Sequence, residues 1–286
     1  MAVVADLASA LDFEQVEPGR CRFSNVGLGE RGVVFGGQLL AQMAVAAATA
    51  DSSGTKWIKS AHGLFARPVL VAEDMDVTVD LLHGGRTLAM VTATVWQGDR
   101  PCARGQILLD VGEPDLIRHG SEAPDVDGPD ASVPWGDPVE GREIRTVDGV
   151  DILDAESTGP AEVYAWVRTS GPSDKAVVNQ ALLAHATASF LIGTAMRPHA
   201  GVGQSVAHRH ISTGIVGHTI SFHEAVEPGQ WLLLANESPF AGRGRAFGRG
   251  QVFTQSGQLV ASFSQEAMIR HFPAGRSAAG REDTVL

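Results

Sequence analysis

The sequence predicts an α+β fold made of two tandem units, each a long central helix wrapped by an antiparallel sheet. Three observations carry that prediction. Residues 35–50, FGGQLLAQMAVAAATA, offer almost no polar face, and a helix that is apolar all round has to be covered on every side. Residues 61–112 then change to the period-two alternation of strands, with Met75, Val77 and Val79 set between Asp74, Asp76 and Asp80. The same helix-then-strands programme returns in the second half of the chain.

In chain order, residues 4–11 read as one short helix and residues 12–24 as an extended lead-in broken at Pro18-Gly19. The apolar stretch follows, introduced by Gly36 and Gly37, and is too short to span a membrane. Turns at Gly84-Gly85 and Gln97-Gly98-Asp99 divide the next strands into a meander. Residues 113–148 are rich in Pro, Gly and Asp and read as a linker, too long for an ordinary loop. Beyond it, VNQALLAHATASFLIGTAM at 178–196 is the second helix candidate, leading through a glycine- and histidine-rich connection into a second meander.

The two strand sets align at one offset of 157, with Phe65 on Phe222, Asp80 on Glu237 and Val95-Trp96 on Val252-Phe253. The helices match at another offset, LLAQ at 39–42 on LLAH at 182–185, because the second connection is longer. The units are therefore 1–112 and 149–272, with a frayed tail at 273–286.

Composition narrows the function classes. The formal net charge is -11, with 22 Lys and Arg against 33 acids, so the balance argues against a nucleic-acid surface. Cys21 and Cys102 are the only cysteines, form no CxxC pair, and read as free thiols of a reducing cytoplasm. The first residues carry no basic n-region, so no signal peptide is expected. Five histidines lie between His199 and His223, including His208-Arg209-His210, but no carboxylate stands in a ligand frame with them, and no metal site is expected. No GK[ST] ending follows the glycines at 242–250, and no G-x-S-x-G elbow occurs.

A central helix wrapped by an antiparallel sheet is the hotdog architecture, and two in tandem make a double hotdog. The run VVFGGQLLAQ, the segment HTISFHEAVEPGQWLLL, the stretch GRGRAFGRGQVFTQSGQLVASFSQEAMIR and Arg197-Pro198-His199 resemble the acyl-CoA thioesterase II (TesB-like) family. The resemblance covers nearly the whole chain outside the linker and both ends; FGGQ and the span from Gln265 to Arg270 are its specific parts. It implies hydrolysis of a fatty acyl-CoA to free acid and coenzyme A by direct attack of water. Coenzyme A is then part of the substrate, and no cofactor is needed. The resemblance also implies that three side chains hold the water: an aspartate on the second helix, a threonine in the following strand region and a glutamine near the C-terminus. Gln265 matches the glutamine, but the positions of the aspartate and threonine hold Ala188 and Ile215. An amide alone orients a water without accepting its proton.

Several residues offer compensation or contact. His185 lies one turn before Ala188 and has the right intrinsic pKa for a base, with a helix-to-sheet hydrogen bond as its plainer role. Thr187 and Ser189 flank Ala188 but point about 100° away on a helix of 3.6 residues per turn. Thr213 replaces the missing threonine if the loop shifts by two residues, and His62 heads the first meander at a position where the family has a histidine. Gly36 and Gly37 let a carbonyl approach the unpaired N–H groups of the first helix, or else allow close packing of helix on sheet. An acyl chain would lie along apolar surface including Ala188, and Arg243 and Arg245 are candidates for the coenzyme A phosphates.

The expectation is a cytoplasmic acyl-CoA thioesterase that meets a small-molecule substrate, with neither nucleic acid nor membrane as partner and a homo-oligomer left open. The competing class is an acyl-CoA-binding protein that has lost the water-activating carboxylate. A hotdog hydratase ranks last, because no D-x-N-x-x-H run is present.

Overall fold

The computed structural model describes residues 7–25, 32–136, 139, 141–170 and 173–272. Among the described residues thirteen strands make one continuous sheet, every neighbouring pair antiparallel. The first half supplies β1 (Phe13–Glu17), β2 (Arg20–Phe23), β3 (Trp57–Phe65), β4 (Met75–Gly84), β5 (Leu88–Gln97) and β6 (Arg100–Asp110). The second supplies β7 (Val133–Trp135), β8 (Arg142–Thr146), β9 (Glu162–Thr169), β10 (Ile211–Phe222), β11 (Leu232–Gly242), β12 (Arg245–Thr254) and β13 (Leu259–His271). The order across the sheet is β1-β2-β4-β5-β6-β3-β10-β13-β12-β11-β9-β8-β7, so the halves join through β3 and β10.

The 157-residue offset is a symmetry of the sheet. His62 and Thr219, equivalent by that offset, face each other across the β3–β10 joint, and His62 Nδ1 lies 2.6 Å from Thr219 Oγ1. A pseudo-twofold axis therefore passes through this pair. Bulges obey the same offset: Ile58/Ser60 in β3 recurs as Ile215/Gly217 in β10, and Val95/Trp96 in β5 as Val252/Phe253 in β12.

Helix α1 (Gly36–Ala48) starts after an extended Phe35 and ends where the Thr49 hydroxyl donates to Ala46 O at 2.6 Å. Its alanine-rich surface is buried from Gly37 to Ala47, between the first-half strands and the second helix. That second helix departs from the expectation of one rod over 178–196. It is α2 (Ala176–Thr187), a break at Ala188–Phe190, and a short α3 (Leu191–Met196) lying on β11 and β12. The break is local chemistry: Thr187 turns its hydroxyl back to Ala184 O at 3.0 Å, and Phe190 drops into the core. Ala176–Met196 is long and apolar enough to cross a membrane by composition, yet it is broken and mostly buried inside the fold, as core helices are.

The predicted linker also holds structure. Strands β7 and β8 both fall within its range and extend the second-half edge beyond β9, while residues before them lie over the outer face of that half. There Trp166 Nε1 donates to Asp127 O at 2.8 Å, and Gln251 Nε2 to Ser121 Oγ at 2.8 Å. Ala123 and Val126 cover a small outer core of Trp166, Trp231, Leu233 and Phe253. Of the expected helix at 4–11, the described part is one 3-10 turn, Ser9–Leu11; residues 1–6 and the expected tail 273–286 lie outside the described residues.

Candidate active-site cleft

A cleft of about 480 Å³ opens where the start of α1 meets the α2–α3 break and the first residues of β10. Gly36 and Leu39 form one wall, Ala188 and Ile192 a second, Thr213 and Ile215 a third, and Arg67, His208 and Arg209 supply charge and polarity. The bulge in β10 decides which side chains arrive. One extra residue between Ile215 and Gly217 shifts the alternation, so that Thr213 and Ile215 before it and His218 after it all face the helices.

The two glycines have separate tasks. A Cβ on Gly37 would stand 2.9 Å from both Ala188 Cβ and His185 O, so this glycine is what allows α1 and α2 to touch. A Cβ on Gly36 would have Ile215 and Phe65 atoms as its nearest neighbours, at 3.5 Å or more, and Gly36 faces the cleft. Phe35 O already accepts from Gln38 N and Leu39 N, while the N–H groups of Gly36 and Gly37 head the helix with no intrahelical acceptor. Oriented donors at a helix start suit an oxygen that gains negative charge.

Among the predicted residues, Gly36, Ala188 and Thr213 come together in this cleft. Gln265 does not line it. It is buried across from His218, whose Nδ1 donates to Gln265 Oε1 at 3.1 Å, while Thr187 Oγ1 lies 3.0 Å from His218 Nε2. Gln265 Nε2 has no partner among the described residues. Burial, only partly offset by the Gln265 hydrogen bond, pushes the His218 pKa down to about 4, so the ring is neutral near pH 7. This network adjoins Ala188 through Thr187, but Gln265 and Thr213 lie on opposite sides of Ile215 along the sheet, roughly 10 Å or more apart at about 3.3 Å per strand residue. They cannot hold the same water.

His185 is placed by the helix against Arg142, 2.9 Å from its guanidinium to Nδ1, with the Phe35 ring edge-on at 5.1 Å between centroids. A guanidinium only donates, so Nδ1 is the acceptor and the ring proton sits on Nε2. Burial first, and then the Arg142 charge, hold its pKa well below the usual range. With its lone pair engaged, His185 is poorly placed to take a proton from water. His62 is on the outer face of the sheet with Thr219, remote from the helices. Arg243 and Arg245 sit on the β11–β12 turn, which Ile269 links to Thr213 two strands away, and neither lines the cleft.

The structure adds residues that the sequence reading passed over. His208 Nε2 lies 2.9 Å from Thr213 Oγ1, and His208 adopts φ +62°. Arg67 and Arg209 stand exposed at the cleft rim. A signal for the first did exist: His208 and Thr213 fall by the 157 offset on Asp51 and Lys56, a buried ion pair at 2.8 Å. Among the described residues no three His, Cys, Asp or Glu side chains gather around a possible metal ion.

Fold and cleft together define a double-hotdog protein with an open cleft at the start of its first core helix. Residues 27–109 match the acyl-CoA thioesterase N-terminal domain family and residues 118–269 the acyl-CoA thioesterase C-terminal domain family. The chain belongs to the acyl-CoA thioesterase family. It is 27% identical over 290 residues to acyl-CoA thioesterase 2 of Haemophilus influenzae, a match covering 94% of this chain and 98% of that one. It is 24% identical over 266 residues to human acyl-coenzyme A thioesterase 8, covering 84% and 81% of the two chains. The acyl-CoA thioesterase II TesB2 structure from Mycobacterium marinum superimposes with a TM-score of 0.78 at 26% identity, over 94% of this chain and 100% of that one. The tesB protein of Mycobacterium avium subspecies paratuberculosis shares the fold with a TM-score of 0.79 at 23% identity, over 93% and 99% of the chains.

Proposed function

We propose that this chain hydrolyses fatty acyl-CoA thioesters to the free acid and coenzyme A by direct attack of water in the cleft at the start of α1. The observation that carries the reading is the meeting of helix-start N–H groups with a cleft that has both apolar and polar walls, in a chain of this family. The thioester carbonyl lies against Gly36, where fixed backbone donors offset the charge that develops on its oxygen. The acyl chain runs along Leu39, Ile192 and Ile215. Coenzyme A enters as part of the substrate, its phosphates near Arg67 and Arg209, and no separate cofactor takes part. Gln265 is a positioning residue: through His218 and Thr187 it holds the end of α2 beside the cleft. A cytoplasmic setting is supported by Cys21 and Cys102, both free and buried.

The test is release of coenzyme A thiol from saturated acyl-CoAs of several lengths. Turnover whose KM rises when Arg67 and Arg209 are replaced by alanine supports the reading. Tight binding with only background hydrolysis at every length would make the chain an acyl-CoA-binding protein instead, and neither binding nor turnover would overturn both.

A further inference from the structure

The cleft lacks the carboxylate and threonine that the family resemblance places there, since Ala188 and Ile215 occupy those positions. Water attack still needs a group that takes a proton. Around the cleft, His185 is locked on Arg142, His218 is enclosed between Thr187 and Gln265, and His62 is on the opposite face of the sheet. Beside Ser189, Gln204 and Ser205, the described lining holds an imidazole hydrogen-bonded to a hydroxyl, His208 with Thr213.

Resting on the thioesterase reading above, we infer that Thr213 and His208 form the proton relay of the reaction. Thr213 is the next helix-facing residue along β10 from Ile215, about 7 Å away at 3.3 Å per strand residue. Ile215 in turn packs against Gly36. One carbonyl group and one water molecule span that distance. The water oxygen attacks the carbonyl carbon while one of its protons passes to Thr213 Oγ1 and the threonine proton passes to His208 Nε2. The carbonyl electrons move onto oxygen, facing the N–H groups at the start of α1. When the C=O re-forms, the C–S bond breaks, and the proton on His208 returns through Thr213 to the coenzyme A sulfur. Acid and thiol leave with no oxidant or further reactant required.

Two features favour chemistry over a simple loop tie. His208 holds φ +62°, a conformation that costs a non-glycine residue energy and is retained where surroundings fix it, here the Thr213 contact and the His208 N–H bond to Ile211 O at 2.7 Å. The equivalent pair at the other end of the pseudo-axis, Asp51 and Lys56, is an ion pair, whereas His208 and Thr213 pair an imidazole with a hydroxyl in the lining of the cleft.

The experiment uses the full chain and an acyl-CoA that the wild type turns over. His208→Gly suits the backbone, because glycine adopts φ +62° without strain. It is expected to lower kcat at least about 100-fold with KM little changed, and added imidazole is expected to restore turnover. Thr213→Val should lose a similar factor, and Thr213→Ser should recover most of it. Wild-type kcat in both His208→Gly and Thr213→Val would overturn the relay while leaving the thioesterase reading intact. Loss of activity in His208→Gly that imidazole does not rescue, with Thr213→Ser as poor as Thr213→Val, would assign the pair a structural role only. A wild type that hydrolyses no acyl-CoA fails at the earlier step, and the relay falls with it.

Discussion

The pseudo-axis through His62 and Thr219 gives the molecule two equivalent corners, one closed and one open. At the closed corner Gln180, near the start of α2, reaches the bulge in β3 and bonds both backbone groups of Ile58, accepting from its N–H at 2.9 Å and donating to its C=O at 2.7 Å. At the open corner the equivalent bulge residue is Ile215, and the helix position equivalent to Gln180 is Gly37. A glutamine seals one end of the core; at the other end Gly37 has no side chain to do so, and Gly36 faces the cleft. The core behind the corners differs in the same sense. Thr187, His218 and Gln265 occupy the positions that Ala44, Ala61 and Ile107 fill in the first half, with His218 paired to Gln265 as Ala61 is paired to Ile107. Duplication supplied two frames, and the Thr187–His218–Gln265 network stands in one.

The comparison can be broken most strongly at its closed end. Gln180→Ala strands the buried N–H and C=O of Ile58 and should cost about 3 kcal/mol, read as a lower urea midpoint, with kcat little altered. An unchanged midpoint would mean that the glutamine is no seal.

Nearly as large is the pH response of the polar core. A histidine whose folded pKa is depressed to about 4 lends stability that is complete above its unfolded pKa near 6.5 and is lost as the pH falls toward 4, because the unfolded chain binds the proton first. That loss is on the order of 3 kcal/mol. Urea titrations at pH 7 and 4.5 should show a smaller drop for His218→Gln than for the wild type, since paired carboxylates such as Asp76 contribute equally to both. Equal drops would remove His218 as the source.

Smaller again is Gly37→Ala. Its methyl group would stand 2.6 Å from Phe35 Cε1 and 2.9 Å from both His185 O of α2 and Ala188 Cβ in the break after it, and the expected loss is about 1–3 kcal/mol. Gly36→Ala sharpens the contrast, because its nearest neighbours are at 3.5 Å. Stability should change by less than about 0.5 kcal/mol, while kcat/KM falls as the methyl group enters the cleft. If Gly36→Ala destabilised the fold as much as Gly37→Ala, the division of tasks between the two glycines would be wrong.

The architecture was legible because the strand period and the 157 offset are properties of residues near one another in sequence. The site was only partly so. Gly36, Ala188 and Thr213 share the lining of one cleft, but period-two alternation places Thr213 and His218 on opposite faces, and only the bulge at Ile215/Gly217 returns them to the same one. That extra residue leaves no mark in hydrophobicity. The break of the second helix was hidden for a similar reason: Thr187, Ala188 and Ser189 are compatible with a continuing helix, and the Thr187 back-bond and the burial of Phe190 end it. His208 was set aside as half of an H-x-H pair, because a loop in a positive-φ conformation is what brings it to Thr213. Asp51 and Lys56 announced that contact one repeat earlier.

The pairing of His62 with Thr219 has one more consequence. In an assembly of two identical chains, the residue on the dyad meets its own copy, so only self-matching contacts are available there, and every change made at one end of the assembly is made at the other. Fusing the units into one polypeptide removes that constraint. An imidazole can then meet a hydroxyl on the axis, at 2.6 Å, and one corner can be tuned for rigidity while its counterpart is left free to evolve a reaction.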